Sequence, residues 1–383
     1  MNILQMIERC DVEWRELGKA LIRTKGTKIT AGQMKELHKE DAPIKIFAGG
    51  KTFALVDYDD IPQKDINHKP SIIVKSRGII EFEYYDKPFS HKNEMWAYHS
   101  QDENVNLKFI YYFLKQNEPR FQAIGSKMQM PQIATPDTDK FKIPIPPLPI
   151  QEKIVQILDL FTSLEKELRT ELALRQKQYA YYRELLLSFD SNSQQFPTHT
   201  HTLATVVWKT LGEVVDYIQP SKYLVHSTDY HDSFKIPVLT AGKTFILGYT
   251  NETDGIYPAS DNPVIIFDDF TTANKWVNFD FKAKSSAMKI IVQKDNQVLL
   301  RYVYHWLNTL PDEESTDHKR QWISNFSKKP IPIPPLSTQT QIVAILDKFD
   351  TLTNSLTHGL PREIELRRKQ YEYYQEKLLA FKQ

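Results

Sequence analysis

The sequence Ile143-Pro-Ile-Pro-Pro-Leu148 occurs a second time, letter for letter, as Ile331-Pro-Ile-Pro-Pro-Leu336. Each copy leads into related blocks: Gln151-Glu-Lys-Ile-Val-Gln-Ile-Leu-Asp159 corresponds to Gln339-Thr-Gln-Ile-Val-Ala-Ile-Leu-Asp347, and Arg175-Gln-Lys-Gln-Tyr-Ala-Tyr-Tyr182 corresponds to Arg367-Arg-Lys-Gln-Tyr-Glu-Tyr-Tyr374. Between these two blocks the second copy carries four extra residues, near Gly359 and Pro361. Self-similarity of this kind indicates a duplicated structural unit.

The regions upstream of the two copies correspond more faintly. Trp14, Leu17 and Gly18 match Trp208, Leu211 and Gly212; Gly50-Lys-Thr-Phe53 matches Gly242-Lys-Thr-Phe245; Pro70-Ser-Ile-Ile73 matches Pro263-Val-Ile-Ile266. The close repeats therefore do one mechanical job, while the divergent regions share a fold and differ in surface. A protein with two heads that read two different half-sites has this pattern. The alternative is an old duplication without functional symmetry.

Apolar residues recur every three or four positions through residues 151–189, and neither Gly nor Pro interrupts the run. This spacing predicts one helix, roughly 58 Å long at 1.5 Å per residue. So long a stripe needs a partner helix, and we expect it in residues 337–382. Gly359-Leu-Pro361 predicts a break in that second helix. The proline runs are predicted to be extended, stiff joints; a less favoured interpretation makes them ligands for proline-binding modules.

Each upstream region combines short β-type runs, such as Ser71–Val74 and Val264–Phe267, with one convincing helix, predicted at Asn106–Lys115 and Gln297–Leu310. We therefore predict an α+β fold: two similar mixed domains separated by two long helices in an antiparallel coiled coil, with an internal pseudo-two-fold duplication. The predicted ranges are 1–142 for the first head, 143–192 for its joint and helix, 193–330 for the second head, and 331–383 for its joint and helix.

Polar and basic residues with interleaved aromatics cluster in predicted loops of both heads. Arg and Lys suit guanine and phosphates, whereas Asn and Gln suit adenine; a solvated loop is the plainer interpretation of any single residue. The candidate nucleic-acid contacts are Lys51, Lys75, Arg77, Ser126, Lys127, Gln129 and Gln132 in the first head, and Lys243, Thr271, Thr272, Asn274, Lys275, Lys284, Ser285, Lys319, Arg320, Gln321 and Trp322 in the second.

Motifs for catalysis are missing from the sequence. Gly50-Lys-Thr52 and Gly242-Lys-Thr244 lack the upstream glycine of a phosphate-binding loop, because Lys45 and Pro237 occupy that position. Asp261-Asn-Pro-Val264 has only part of an amino-methyltransferase motif. Scattered histidines and the single Cys10 make no zinc site. The pairs Asp59-Asp60 and Asp268-Asp269 are conceivable metal ligands, although solvated turns are the more economical interpretation. We predict no catalytic and no metal-binding residue.

Composition leaves the partner open. The net charge of +1 neither requires nor excludes nucleic acid, because a basic patch can be offset by acidic residues elsewhere. The single cysteine suits a reducing compartment, and neither an apolar run of membrane-spanning length nor a signal-type N-terminus is present. We therefore expect a cytoplasmic protein.

The runs Ile331–Leu336, Gln341–Asp347 and Gly359–Tyr374, together with Phe267-Asp-Asp-Phe-Thr-Thr272 and Lys284-Ser-Ser-Ala-Met288, resemble the specificity subunits of type I restriction–modification enzymes. The resemblance covers nearly the whole chain. It implies that each head is a target recognition domain for one half of a split, asymmetric DNA site, and that the helices set the gap. It further implies a non-catalytic chain that docks two methyltransferase (modification) subunits, with restriction subunits as further partners. S-adenosylmethionine, ATP and Mg would then act in those partners.

The helix contacts and the docking surface are expected along the repeated helices. The residues that we assign to them are Ile154, Phe161, Leu168, Tyr179, Tyr182 and Leu186 in the first copy and Ile342, Phe349, Leu356, Tyr371, Tyr374 and Leu378 in the second. Two rival functions remain: a self-contained nuclease or methyltransferase, and a coiled-coil scaffold without affinity for DNA.

Overall fold

The computed structural model describes residues 2–126, 131–189, 206–240, 244–311, 320–355 and 358–382. The chain divides into two compact units, one made of Met1–Arg169 with Glu363–Gln383 and the other of Thr170–Arg362. Each unit therefore contains one head and parts of both long helical segments. The four predicted ranges concern recognition and spacing roles, and they stay a prediction.

The first unit begins with a head of short strands and helices, whose last element leads into the long helix. Its elements are α1 (Ile3–Arg9), β1 (Glu13–Glu16), α2 (Leu17–Ala20), β2 (Ile22–Arg23), α3 (Ala31–Leu37), β3 (Ile44–Phe47), β4 (Phe53–Val56), β5 (Ser71–Lys75), β6 (Glu81–Tyr85), β7 (Phe89–His91), β8 (Trp96–His99), α4 (Leu107–Gln116), α5 (Glu118–Gly125), α6 (Thr135–Asp139), β9 (Lys142–Ile145) and α7 (Leu148–Leu187), with a 3₁₀ turn at Gln63–Asp65.

The second head repeats this order with fewer helices among its described residues. Its elements are β10 (Val207–Thr210), α8 (Leu211–Val214), β11 (Val215–Ile218), β12 (Ile236–Leu239), β13 (Ile246–Thr250), β14 (Val264–Asp268), β15 (Asn274–Val277), β16 (Lys282–Ala283), β17 (Met288–Gln293), α9 (Leu300–Leu307), α10 (Gln321–Ser324), β18 (Pro330–Ile333), α11 (Leu336–Asn354) and α12 (Leu360–Leu378), with 3₁₀ turns at Pro220–Tyr223 and Phe326–Lys328.

The two heads have the same sheet topology. In the first head a four-stranded sheet has the order β2-β8-β5-β6 and a three-stranded sheet the order β4-β3-β7; in the second head the orders are β11-β17-β14-β15 and β13-β12-β16. In each three-stranded sheet one strand pair is antiparallel and the other parallel. The faint correspondence between the heads therefore reflects one duplicated α+β fold.

The proline runs form short strands at the base of each head. β9 pairs with β1 so that Pro144 lies opposite Trp14, and β18 pairs with β10 so that Pro332 lies opposite Trp208. Both pairs stand alone as two-stranded sheets, which accommodates proline because no central ladder position loses a donor. The predicted extended joints are thus strands paired with the start of their own head.

The helices after these strands differ between the two copies. In the first copy α7 is a single helix of 40 residues, whereas the second copy has α11 and α12 of 19 residues each. The four-residue insertion of the second copy falls where α11 ends and α12 begins. Gly359 lies in this break, where a Cβ would collide with the carbonyl oxygen of Thr351. Within the described ranges no helix has the length and apolar character needed to cross a membrane.

Apolar cores join each head to the helices of its own unit. In the first unit, Ile154 and Leu158 of α7 and Leu378 at the end of α12 are buried with the face of α4. In the second unit, Tyr179 and Leu187 of α7 are buried with Ile342 and Leu346 of α11 and with α9. Because fully burying one aliphatic side chain contributes about 1.5–3 kcal/mol, these cores fix each head on its helices.

Candidate functional site

Three loops meet at one end of the first head. The amide of Gly50, in the β3–β4 turn, donates to the carbonyl oxygen of Arg77 at 3.1 Å. The amide of Gly78 donates to Pro131 O at 2.9 Å, and that of Ile133 donates to Ser76 O at 3.0 Å. Gly78 has a φ of +76°, which favours glycine there. The loop after β5 is thus held on both sides by backbone hydrogen bonds.

The predicted contact residues of the first head separate into exposed and engaged groups. Lys51, Arg77 and Ser126 are exposed on these loops, and Gln132 is half-buried beside Arg77. Lys75 instead pairs with two carboxylates, at 2.5 Å from Glu81 Oε1 and 2.8 Å from Glu83 Oε2. Burial opposes its charge, but these hydrogen bonds raise the pKa of Lys75. Its charge is therefore balanced within the head. Lys127 and Gln129 lie outside the described residues.

The second head builds the same junction from different residues. Alignment of Pro70–Ile73 with Pro263–Ile266 makes Asp269 the counterpart of Ser76. The carbonyl oxygen of Asp269 accepts from Gln321 N at 2.8 Å, as that of Ser76 accepts from Ile133. Ser76 Oγ donates to Glu94 O at 2.9 Å, and Asp269 N donates to Ala287 O at 3.1 Å. The loop after β5 and the loop after β14 are therefore fixed by hydrogen bonds at corresponding residues.

A buried charged pair lies beneath the loops of the second head. Asp269 has no exposed surface, and its Oδ1 accepts from the Trp322 amide at 2.8 Å. Its Oδ2 lies 3.4 Å from Lys289 Nζ, which also donates to Gln219 Oε1 at 2.6 Å. Asp268 closes the preceding turn, because its carboxylate accepts from Phe270 N and Thr271 Oγ1. The Asp268-Asp269 pair thus stabilises the loop.

Several predicted contacts of the second head are exposed and others are not. Exposed side chains are those of Thr271, Lys275, Lys284, Ser285 and Arg320, while Asn274 and Gln321 are half-buried. The structure differs from the prediction at two positions. Trp322 is 2 % exposed and packs edge-on against Phe267 at 5.0 Å, and Thr272 is 4 % exposed with a φ of +62°. Trp322 thus belongs to the core, and Thr272 is enclosed within the turn, where its amide donates to Asp268 O at 3.0 Å. Lys243 and Lys319 lie outside the described residues.

The predicted residues of the long helices mostly pack inside the units. Aromatic stacks join Phe161 to Tyr374 and Phe349 to Tyr182, and Tyr179 and Tyr371 flank them. Ile154, Ile342 and Leu378 are buried, and Leu168 and Leu186 are half-buried. Leu356 lies outside the described residues. These side chains are occupied by packing within the chain.

A buried glutamine fixes the joint in each copy. Gln151 Nε2 donates to Asn104 O and Pro146 O at 2.9 and 2.7 Å, and its Oε1 accepts from Asn106 N at 2.8 Å. Gln339 makes the equivalent three bonds with Gln297, Pro334 and Leu299, at 3.2, 2.8 and 2.9 Å. Neither glutamine has exposed surface. Each one therefore links its proline strand, its helix and the loop before the head helix.

A repeated aspartate forms the second anchor. In the first unit Asp159 accepts from Lys108 Nζ at 2.7 Å and from the Tyr112 hydroxyl at 2.5 Å. In the second unit Asp347 Oδ1 accepts from Arg301 Nε and His305 Nε2, both at 2.7 Å. In each case the donors lie one turn apart on the head helix, α4 or α9. The aspartate thus connects that helix to α7 or to α11, at the twelfth residue of each.

Burial shifts the pKa of His305 in the second anchor, and hydrogen bonds shift that of Asp347. Desolvation lowers the pKa of His305, more strongly than the hydrogen bond to Asp347 raises it. The lowered pKa favours the neutral imidazole. In the tautomer that satisfies both contacts, Nε2–H donates to Asp347 and Nδ1 accepts from the Tyr179 hydroxyl at 3.2 Å. Burial opposes the charge of Asp347, yet the bonds from His305 and Arg301 lower its pKa.

The sequence predictions did not include these anchors. Gln151 with Gln339, and Asp159 with Asp347, are identical in both repeats, and polar residues kept in an apolar stripe were the available signal. Their partners on the head helices differ between the copies, so only the structure could pair them. Among the residues that the structure describes, no group of three or more His, Cys, Asp or Glu side chains is arranged to hold a metal ion.

Two copies of one head, each attached to a helical segment through the same glutamine and aspartate positions, define a class of duplicated two-headed proteins. Each head carries one surface of loops, around Ser76 in the first head and around Asp269 in the second. The chain belongs to the type I restriction modification DNA specificity family, whose domain model matches residues 21–174 and 205–366.

Two relatives agree with this assignment, and one solved structure shares the fold. A type I restriction enzyme specificity subunit of Escherichia coli is 63% identical over 187 residues, which are 46% of this chain and 45% of that protein. A putative type I restriction enzyme specificity subunit of Haemophilus influenzae is 34% identical over 301 residues, 73% of each chain. The crystal structure of the type I restriction–modification S subunit from M. genitalium covers 98% of each chain with a TM-score of 0.68 at 18% identity, a likeness of fold. The match to the Escherichia coli protein thus spans about half of its length.

Proposed function

We propose that this chain is the DNA-reading subunit of a type I restriction–modification complex, in which each head reads one half of a bipartite, asymmetric site. The observation that carries the proposal is that the loop after β5 in the first head and the loop after β14 in the second are fixed by corresponding backbone hydrogen bonds. Equivalent backbone bonds hold the loop at Ser76 and at Asp269, whereas the residues presented there differ. One fold that displays two sets of side chains suits two different half-sites.

The chemistry of both loop surfaces fits DNA. Exposed Lys51 and Arg77 on the first head, and Lys275, Lys284 and Arg320 on the second, provide charge for phosphates and donors for base edges. Because backbone hydrogen bonds hold the loops before binding, less conformational entropy is lost on association. The remaining predicted contacts on the same loops, Ser126, Gln132, Thr271 and Ser285, supply polar groups for bases or phosphates.

The repeated helices are proposed to set the gap between the half-sites. Both units take part of α7, and α7 has no break in its 40 residues. Half-sites of two-fold DNA-binding proteins are about one DNA turn apart, near 34 Å. A continuous helix is suited to fixing such a spacing because its hydrogen-bonded backbone resists extension.

Exposed apolar residues at equivalent positions suggest where partner subunits dock. Leu174 and Tyr181 are 56% and 61% exposed in the second unit, and their counterparts Leu366 and Tyr373 are 43% and 55% exposed in the first. Each pair is seven residues apart and shares a helix face. Two matching patches favour two copies of one partner, for which we propose the modification (methyltransferase) subunit. Restriction subunits would join as further partners.

The proposal assigns chemistry to the partners. S-adenosylmethionine would be bound by the modification subunits, and ATP and Mg by the restriction subunits. The rival enzyme hypothesis predicts cleavage or methyl transfer by the purified chain alone with metal or S-adenosylmethionine. The rival scaffold hypothesis predicts no DNA affinity at any salt concentration, whereas a reader shows binding with a steep salt slope.

A genome-wide map of adenine methylation, made with and without this gene in the source cell, tests the proposal. Loss of methylation at one split motif with a fixed gap and two unlike halves is the expected result. If the map is unchanged, the purified chain with its modification partner should still select one split motif from random DNA. Failure of that selection contradicts the proposal.

A further inference from the structure

We infer that Arg77 determines specificity in the first head and reads a guanine, and that the second head has no equivalent contact. The inference rests on the proposed function, and it adds one residue, one base and an asymmetry between the half-sites. It follows from the surroundings of Arg77, the rigidity of its backbone and the identity of its counterpart.

Arg77 is the cation of its loop that remains available for a ligand. Its side chain is exposed, and it forms no ion pair with the described part of the chain. Lys75, two residues before, is held between Glu81 and Glu83. Glu94 forms its ion pair with Lys92 at 2.7 Å. The carboxylates of Glu81, Glu83 and Glu94 thus have lysine partners, and the charge of Arg77 acts on Glu94 only at longer range, where it helps to lower the pKa of Glu94. Within the described residues, the Arg77 guanidinium has no ion pair to break before it meets an acceptor.

The backbone around Arg77 is fixed before any ligand arrives. Its own carbonyl accepts from Gly50, the carbonyl of Ser76 accepts from Ile133, and the amide of Gly78 donates to Pro131. Three consecutive residues therefore have a hydrogen bond to a neighbouring loop. A planar guanidinium on a rigid backbone suits the bidentate contact with guanine O6 and N7, which requires a defined approach. A cation that only neutralises phosphate needs no such support.

The second head carries no cation at the equivalent position. The alignment that pairs Ser76 with Asp269 pairs Arg77 with Phe270, which is half-buried, and Gly78 with Thr271, whose hydroxyl donates to Asp268 Oδ2 at 2.7 Å. At the same place in the fold, the first head therefore presents the guanidinium of Arg77. The second head presents the ring of Phe270 and the Thr271 hydroxyl, which is already hydrogen-bonded. Only one half-site should depend on a guanine read from this loop.

The test compares DNA selected from a random library by the methyltransferase complex containing the wild-type chain, Arg77→Ala or Arg77→Lys. The expected result is that Arg77→Ala relaxes one G·C position in one half-site by roughly 5- to 150-fold, the range for one bidentate contact, and leaves the other half unchanged. Arg77→Lys should relax the same position less. Lys87→Ala is the matched control, because this exposed cation lies at the opposite end of β6 and should leave the motif intact.

Other outcomes separate the inference from the function. An unchanged motif with Arg77→Ala, or an equal loss on all sequences with a shallower salt dependence, would overturn the inference and leave the reader function standing. If the wild-type complex selects no split motif, the proposed function itself fails. Thermal unfolding checks each variant, and Arg77→Lys decides the matter if Arg77→Ala does not fold.

Discussion

The rings of Phe161 and Tyr374 stack at a centroid distance of 5.5 Å and an interplanar angle of 23°. In the other unit, Phe349 and Tyr182 stack at 5.4 Å and 19°. Phe161 corresponds to Phe349 in the repeat, and Tyr182 corresponds to Tyr374. Each copy thus gives its Phe to one stack and its Tyr to the other. This reciprocity gives the Phe and the Tyr of each copy the same packing role, which accounts for their identity in both copies.

Phe161→Ala should loosen the first unit and leave the second almost unchanged. The stack contributes about 0.5–1.5 kcal/mol beyond area burial, and loss of the half-buried ring adds a cavity. Hydrogen exchange of the two units measures the effect. Phe349→Ala should show the opposite distribution, and Leu160→Ala, which shortens an exposed side chain next to Phe161, is the control. Equal loosening of both units by either Phe variant would contradict the pairing.

Gln151→Ala should weaken the joint of the first head. The substitution leaves the amide of Asn106 and the carbonyls of Asn104 and Pro146 without their partner, and each unsatisfied buried group costs about 1–3 kcal/mol. We expect a lower denaturation midpoint, measured by urea titration. Gln156→Ala, at an exposed position of the same helix, should change the midpoint little. A midpoint equal to that of the control would show that water replaces the glutamine.

Much of this architecture could be predicted because the duplication and the helical periodicity are visible in the residue identities of a single sequence. The strand predicted at Ser71–Val74 extends to Lys75, and the helix predicted at Asn106–Lys115 is α4 with Asn106 as its N-cap. The helix predicted at Gln297–Leu310 is shorter, Leu300–Leu307.

The loop surface was less predictable because it depends on contacts between distant segments. Trp322 is an aromatic residue beside basic ones in the sequence, which suggested a DNA contact, yet Asp269 and Phe267 hold it in the core. Lys75 has the positive charge of a phosphate contact, yet Glu81 and Glu83, across the hairpin, pair with it. A single sequence shows neither tertiary neighbour, so local composition overestimates the number of available contacts.

Acid should destabilise the second unit through His305. Burial holds the pKa of His305 below its ordinary value, so the unfolded chain binds this proton more readily than the folded one. The stabilisation is complete above about pH 6.5, the unfolded pKa. As the pH falls below that value it is lost, by at most about 1.4 kcal/mol per pH unit, until the folded pKa is reached.

The measurement is the free energy of unfolding between pH 7.5 and 5, followed by hydrogen exchange in the second unit. His305→Asn should flatten the pH dependence there, although it also lowers stability at neutral pH. The first unit keeps its own slope, because burial also lowers the pKa of His91. A steeper slope for His305→Asn than for the wild type would show that the imidazole is charged in the fold.

Replacing Leu174 and Tyr181 with Ser should impair assembly with the modification subunit and leave the fold intact. Both side chains are more than half exposed, so their loss costs little within the chain but removes apolar area from the proposed interface. Native mass spectrometry should show one bound partner instead of two. The equivalent change at Leu366 and Tyr373 should remove the other partner, and all four changes should remove both. Two bound partners in every variant would exclude these patches as docking sites.

Insertion of four residues between Leu168 and Leu172 of α7 should lengthen the gap of the recognised site without changing either half. Four helical residues add about 6 Å along the axis and return side chains to nearly the same face. At about 3.4 Å per base pair, the gap should grow by one or two base pairs. Methylation mapping of the variant complex measures the gap directly. The same insertion in the Asp86–Pro88 turn of the first head, which lies outside the long helices, is the control and should leave the gap unchanged. A constant gap in the α7 variant, with methylation retained, would mean that the helix does not set the spacing.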